Sequence, residues 1–160
     1  MAYSRHMTNL GTETSTVAQA AALSDSAVVE AFFAALVADD YPRALAFCAD
    51  DIEYQNVPFP RDHGKAAVER TLRQFQRLAP ELTVTIHNIA ERDRVVLTER
   101  TDTLRGPWID LDFWVCGTFQ LRGGKIVLWR DHFDLATMTW QTLTSPVRRL
   151  LRARSRPQGV

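Results

Sequence analysis

Two aspartates and an arginine occupy positions that a strand pattern would bury. In the run Leu97-Thr98-Glu99-Arg100-Thr101-Asp102, strand alternation sends Thr98, Arg100, Asp102 and Leu104 to one side and Leu97, Glu99 and Thr101 to the other. Two charges therefore share a face with apolar residues. In Trp129-Arg130-Asp131-His132-Phe133-Asp134 the same rule groups Asp131 with Trp129 and Phe133. If that aromatic side faces inward, Asp131 is buried, and an ionised carboxylate there needs a partner. Arg100 suits that need, because a planar guanidinium fork can hold two carboxylates at once, whereas a lysine acts as a point charge. Tyr54 and Asn56, two residues apart in Tyr54-Gln55-Asn56, also share a face. A phenol and an amide beside a carboxylate can hold a water molecule from three directions.

The chemistry such a set could do is acid/base work on a bound water. With one arginine between two carboxylates in a dry pocket, burial and like-charge repulsion push one carboxyl toward its protonated form. The pair then holds one proton, and its titration belongs to the cluster. The same pattern also suits a purely structural ion-pair cluster or a solvated face. A Tyr and an Asn before a proline turn likewise suit turn chemistry.

The elements that must position these groups read helices first and strands afterwards. Ser24 or Asp25 can cap a helix through Val28, Val29, Phe32, Phe33 and Leu36, apolar positions recurring at three and four. Tyr41 to Cys48 supply a second short helix with Pro42 in its first turn. Ile52 to Asn56 form a short extended segment closed by Pro58 and Pro60, and Lys65 to Leu78 form a helix that Pro80 ends. Then the period changes. Leu82–Glu91, Val95–Arg105, Trp108–Leu121 and Ile126–Asp134 are rich in Val, Ile, Thr, Phe and Trp, separated by Arg92-Asp93, Gly106-Pro107 and Gly123-Gly124, which predicts four consecutive antiparallel strands. The predicted class is α+β: a strongly curved, mainly antiparallel sheet wrapped around N-terminal helices, forming a cone with a deep pocket.

Two-residue turns at Gly106-Pro107 and Gly123-Gly124 conflict with one another. The first pairs Asp102 with Leu111, placing Leu111, Phe113 and Val115 on the face of the charged cluster. The second pairs Asp131 with Cys116, on the opposite face. A bulge or an odd loop in the last hairpin resolves the conflict.

The 160 residues, 46% hydrophobic and 24% charged, are enough for one globular domain with a cavity. The organisation predicted is a flexible tail over 1–22, a cone-shaped domain over 23–145 and a basic tail or short helix over 146–160. Met7 is a candidate natural start. Lys+Arg and Asp+Glu each count 19, which gives no reason to expect nucleic acid as a partner. Arg148, Arg149, Arg152, Arg154 and Arg156 gather in the last stretch and leave a mildly acidic body. No apolar run approaches a membrane span, and the N-terminal stretch lacks the apolar core of an export signal, so a cytoplasmic location is expected. Cys48 and Cys116 read as buried free thiols. His6, His63, His87 and His132 are scattered without ligand spacing, and there is no phosphate loop or dinucleotide fingerprint; neither a metal nor a cofactor is expected.

Tyr54-Gln55-Asn56, Leu97 to Asp102 and Trp129 to Asp134, in that order and spacing, resemble the active-site motifs of the limonene epoxide hydrolase family. The resemblance runs from about Ser26 to Asp134. It extends to the mycobacterial branch, because Phe113-Trp114-Val115-Cys116-Gly117 is similar to a strand of that branch. It implies the cone fold of nuclear transport factor and ketosteroid isomerase, and a catalytic set carried over position by position. Asp131 would take a proton from water, Tyr54 and Asn56 would hold that water, Asp102 would protonate the epoxide oxygen, and Arg100 would bridge the two carboxylates. His132 stands where tyrosine is usual in the family.

Phe33, Leu36, Phe75, Leu104, Phe113, Val115 and Phe133 are candidates for the pocket wall, although each taken alone reads first as core. A lipophilic epoxide of terpenoid, fatty-acid or sterol type, with water as co-substrate, is the partner implied. The rivals are a ketosteroid-isomerase-like enzyme and a non-catalytic small-molecule carrier of the same fold. An outer sheet face bearing Trp114, Cys116 and Leu128 points to a homodimer.

Overall fold

The structure, a computed structural model, describes residues 23–144. Helix α1 (Asp25–Val37) begins where the Ser24 hydroxyl accepts the Ala27 N–H at 3.2 Å, and it buries Val28, Val29, Phe32, Phe33 and Leu36. This is the face that the three-and-four spacing marks. Helix α2 (Tyr41–Ala46) is capped by the Asp40 carboxylate, which accepts from Arg43 N–H; Pro42 costs no hydrogen bond so close to the start. Strand β1 (Cys48–Val57) and the two-residue β2 (Asp62–His63) precede helix α3 (Lys65–Leu78). Then come β3 (Glu81–Arg92), β4 (Val95–Arg105), β5 (Asp110–Arg122) and β6 (Lys125–Phe133). Residues 135–144 are helical and are called α4 below.

All strands form one sheet in the order β2-β1-β6-β5-β4-β3. Every neighbouring pair is antiparallel except β1 and β6, which run parallel. The first long strand thereby lies beside the last. Tyr54 falls opposite Trp129 and Asn56 opposite Asp131, so segments some 75 positions apart in the chain become adjacent. The sheet curves around α1, helped by irregular registers between Cys48 and Glu53 and between Ile86 and Asn88, since an unpaired extra residue bends its strand. Phe32, Phe33, Phe119 and Trp129 fill the centre of the cone with edge-on and stacked contacts at centroid distances of 5.1 to 6.1 Å. Among the described residues no helix is long and apolar enough to cross a membrane.

The last hairpin resolves the facing conflict through a bulge. Arg122 pairs with Lys125 across a tight turn in which Gly123 and Gly124 have φ of 58° and 71°, the left-handed conformation that glycine adopts without penalty. Leu121 then pairs with Ile126, but Gln120 pairs with Leu128. Val127 is the extra residue, and Asp131 lands opposite Gly117 rather than Cys116. In the other hairpin the loop holds four residues instead of two, so Asp102 pairs with Phe113 instead of Leu111. Adding two residues preserves the facing, and Leu111, Phe113 and Val115 stay on the side of Asp102.

Three sequence expectations need correction. The extended segment over Ile52–Asn56 is part of a ten-residue strand that begins at Cys48, a residue expected to end a helix. The strand expected from Trp108 begins at Asp110, and Trp108 is exposed in the loop. Cys116 is an exposed thiol rather than a buried one, because β5 turns Val115 and Gly117 inward and Trp114 and Cys116 outward. Cys48 is buried as expected, and burial pushes its thiol up to about 12 despite the nearby Lys65 and Lys125 charges. The proposed tails over 1–22 and 146–160, the basic run Arg148 to Arg156 and the Met7 start lie outside the described residues.

Candidate active site

Arg100 projects from β4 into the cone and is fully buried. A guanidinium has five N–H donors, and all five are engaged. Nε donates to Asp102 Oδ1 at 2.9 Å and Nη2 to Asp102 Oδ2 at 3.1 Å. Nη2 also donates to Asp131 Oδ2 at 2.6 Å, and Nη1 to Asp131 Oδ1 at 3.1 Å. The remaining Nη1 proton goes to Thr98 Oγ1 at 3.2 Å. Both aspartates are thus held bidentate by one cation, the arrangement for which a fork is suited and an ammonium is not. The Phe33 ring covers the flat side of the guanidinium, its centroid 4.7 Å from Cζ, a cation–π contact to a cation with no exposed surface.

Gly117 makes room for this cluster. It lies between Thr98 of β4 and Asp131 of β6 in one transverse row. A Cβ there would sit 2.6 Å from Thr98 Oγ1 and 3.0 Å from Asp131 Oδ1 and would overlap Arg100 Nη1. With no side chain at Gly117, the guanidinium passes directly over the sheet.

On the other flank of β6, Asn56 Nδ2 donates to Tyr54 Oη at 2.6 Å. The phenol accepts that bond and keeps its own proton for another acceptor. The Tyr54 ring lies 4.1 Å, centroid to centroid, from Trp129, which fixes its direction. Burial, with the negative charge of Asp131 adding to it, raises the Tyr54 pKa above the ordinary phenol value; the hydroxyl stays neutral and serves as a hydrogen-bonding group.

Burial also raises the pKa of Asp102 above the usual carboxylate value. The Arg100 cation opposes that rise and the Asp131 charge adds to it. For Arg100, burial alone would lower the pKa, but the two carboxylates outweigh it and the group is held more firmly protonated than usual. The cluster therefore consists of a permanent cation and two carboxyls, one of which is drawn toward the neutral acid.

These groups lie at a cavity of about 120 Å³ whose wall includes Tyr54, Asn56, Asp102 and Asp131 among otherwise apolar side chains. All seven wall candidates from the sequence, Phe33, Leu36, Phe75, Leu104, Phe113, Val115 and Phe133, line it. Arg100 does not; it lies behind the carboxylates. Sequence reasoning missed Leu72, Leu82, Val84, Trp129 and Met138 as wall residues. Leu72 and Trp129 were visible by their period, Leu72 on the apolar stripe of α3 and Trp129 on the face of Asp131. Met138 belongs to α4 and carried no such signal.

A curved sheet around helices, with a pocket at its concave side, is the nuclear-transport-factor-like cone. It is shared with an NTF2-like protein from Cytophaga hutchinsonii at a TM-score of 0.58 and 18% identity, over 70% of this chain and 91% of that one, a likeness of fold alone. Within that class the match narrows. The family model for the limonene-1,2-epoxide hydrolase catalytic domain matches residues 23–144, and the chain belongs to that family. It is 43% identical over 111 residues to epoxide hydrolase EphG of Mycobacterium tuberculosis, covering 69% of this chain and 73% of that protein. A solved structure of an M. tuberculosis LEH-like epoxide hydrolase superposes with a TM-score of 0.71 at 38% identity, over 78% of this chain and 93% of that one.

Proposed function

We propose that this epoxide hydrolase adds water to a lipophilic epoxide in one step, giving a vicinal diol without a covalent intermediate. Asp131 is the base and takes a proton from a water held by Tyr54 and Asn56. The water oxygen attacks an epoxide carbon, the carbon–oxygen bond breaks, and Asp102 gives its proton to the departing oxygen. One observation carries this reading: a single buried guanidinium holds two carboxyls at the floor of an apolar cavity, with Asp102 drawn toward its protonated form. After turnover the extra proton is on Asp131 and the deficit on Asp102. Arg100 spans both, so its charge stabilises either distribution while the proton returns. The apolar wall supports a lipophilic substrate.

Diol formation from limonene oxide or styrene oxide tests the activity. A single turnover in oxygen-18 water, with enzyme in excess, tests the route. Direct attack puts label into the diol at once and none into an aspartate peptide; an unlabelled first diol, with label in the Asp131 or Asp102 peptide, would establish an ester intermediate instead.

Leu97 and Trp114, about half exposed on the outer face of the sheet, support a homodimer across that face. Leu128, expected to join them, is buried instead. A dimeric mass in light scattering, lost when Trp114 and Leu97 are both changed to glutamate, is the expected result. Both cysteines are free, which suits a reducing cytoplasm.

A further inference from the structure

Thr98 faces Asp131 across the side-chain gap at Gly117, and Arg100 Nη1 spans that gap, giving one proton to Thr98 Oγ1 at 3.2 Å and the other to Asp131 Oδ1 at 3.1 Å. Thr98 is itself buried, with 2% of its surface exposed. It does not line the cavity, so it has no route to substrate. Nor does its hydroxyl add charge to the cluster.

We propose that Thr98 is a positioning residue for the reaction: its hydroxyl sets the roll of the Arg100 guanidinium and, through Nη1, the orientation of the Asp131 carboxylate. The inference rests on reading Asp131 as the base. The physical reasoning is one of constraint. Four of the five donors are taken by carboxylate oxygens, and these can move with the guanidinium as a unit. Thr98 is the one acceptor anchored by a short, β-branched side chain with little rotamer freedom. It ties the charged group to the backbone of β4 independently of either aspartate. Without that acceptor, a buried donor lacks a partner, and a buried charged donor pays heavily for that. The guanidinium then tilts until Nη1 shares one of the carboxylate oxygens, and Asp131 turns with it. The Gly117 gap makes this arrangement possible, because any side chain there would come between the hydroxyl and Nη1.

Thr98→Val keeps the shape and removes the acceptor; Thr98→Ser keeps the acceptor. On an epoxide that the wild type turns over, Thr98→Val is expected to lower kcat about tenfold with KM changed by less than about twofold, while Thr98→Ser stays within about threefold of wild type, magnitudes fitting a misplacement well under 1 Å. The alkaline limb of the kcat profile is expected to shift in Thr98→Val and to stay in place in Thr98→Ser. A loss of stability alone would move neither the limb nor the split between kcat and KM. A folded Thr98→Val with wild-type kcat and limb, or a Thr98→Ser as impaired as Thr98→Val, would overturn the proposal. Should Thr98→Val fail to fold, Thr98→Ala takes its place in the same comparison. NMR of nitrogen-15-labelled arginine gives a readout that needs no turnover: Nη rotation of Arg100 is expected to be hindered in the wild type and Thr98→Ser and faster in Thr98→Val or Thr98→Ala. Equal rotation in all would overturn the proposal, whereas absent diol formation by the wild type would overturn the functional reading and leave this measurement standing.

Discussion

Asp102 and Asp131 are joined through one nitrogen: Arg100 Nη2 donates to Asp102 Oδ2 at 3.1 Å and to Asp131 Oδ2 at 2.6 Å. Neither carboxyl can swing without disturbing the donor that the other uses. The acid and base of a hydration reaction would thus move as one body, on a support that the substrate does not touch.

If the two carboxyls divide the roles as proposed, Asp131→Ala and Asp102→Ala each lower kcat by at least ~10²-fold, the lower end for a positioned acid or base. Tyr54→Phe costs less, because Asn56 still holds the water. Steady-state kinetics on one epoxide, with circular dichroism to verify the fold, checks all three. A loss in Tyr54→Phe equal to that in the aspartate variants would give the phenol a larger part than holding water.

Removing the cation is expected to damage the fold before the chemistry. Arg100→Met leaves two carboxyls in the cone with no counter-charge, and breaking a buried pair by removing one partner costs about 3–5 kcal/mol. Urea unfolding measures this. The triple variant Arg100→Met with Asp102→Asn and Asp131→Asn should recover much of the lost stability, since the penalty lies in the uncompensated charges.

Asp102 gives the pH dependence a definite sign. Its pKa is raised in the fold, chiefly by burial, so between the unfolded value of about 3.9 and the higher folded value the native state holds a proton that the unfolded chain has lost. Stability from this group is fully present below the unfolded value and declines as pH rises toward the folded one. A general acid must also be protonated to act, so activity falls on the alkaline side of the same group. Asp102→Asn should remove the Asp102 contribution to the pH slope of stability, measured by urea unfolding across that window. An unchanged slope would count against a raised Asp102.

Gly117→Ala places a methyl group against Arg100 Nη1 and Thr98 Oγ1. Overpacking of this kind typically costs about 1–3 kcal/mol. The expected mark of this site is a larger effect on kcat than on KM, because the displaced groups lie behind the cavity wall. Thermal melts and kinetics together check it; wild-type kinetics would show that the cluster accommodates the methyl.

Strand alternation made the candidate site legible because a period of two assigns each side chain to a face with no tertiary information. It grouped Arg100 with Asp102 and Thr98, and Asp131 with Phe133, and the structure has the same groupings. Alternation also set Cys116 on the outer face beside Trp114, where the structure has it; only the burial expected from its apolar neighbours in sequence was wrong. The parity conflict between two glycine-containing turns revealed that an irregularity was needed in the last hairpin. It could not locate Val127, since any residue before Asp131 would have restored the facing. The parallel pairing of β1 with β6 was invisible, because it joins the two ends of the domain and leaves no local pattern. For the same reason only the family resemblance, and no local pattern, brought Asn56 to the water of Asp131; the cross-strand pairing of the two residues came from the structure. A glycine in a strand carries no record of what occupies its missing volume, so Gly117 gained a meaning only from the groups around it.

The segment 110–114 of β5 extends beyond the last β6 partner, which is Phe133 opposite Val115. On that side the backbone of Asp112 is met by a side chain instead of a strand: Asp112 N–H donates to Gln141 Oε1 at 2.8 Å, and Gln141 Nε2 donates to Asp112 C=O at 2.7 Å. A primary amide offers the same donor and acceptor as a peptide group, so Gln141 ends the ladder as a neighbouring strand would have continued it. Bare strand edges recruit strands from other molecules. One amide on α4 therefore occupies the backbone of Asp112 that a strand from another molecule would otherwise pair with, and Met138 of the same helix lines the cavity.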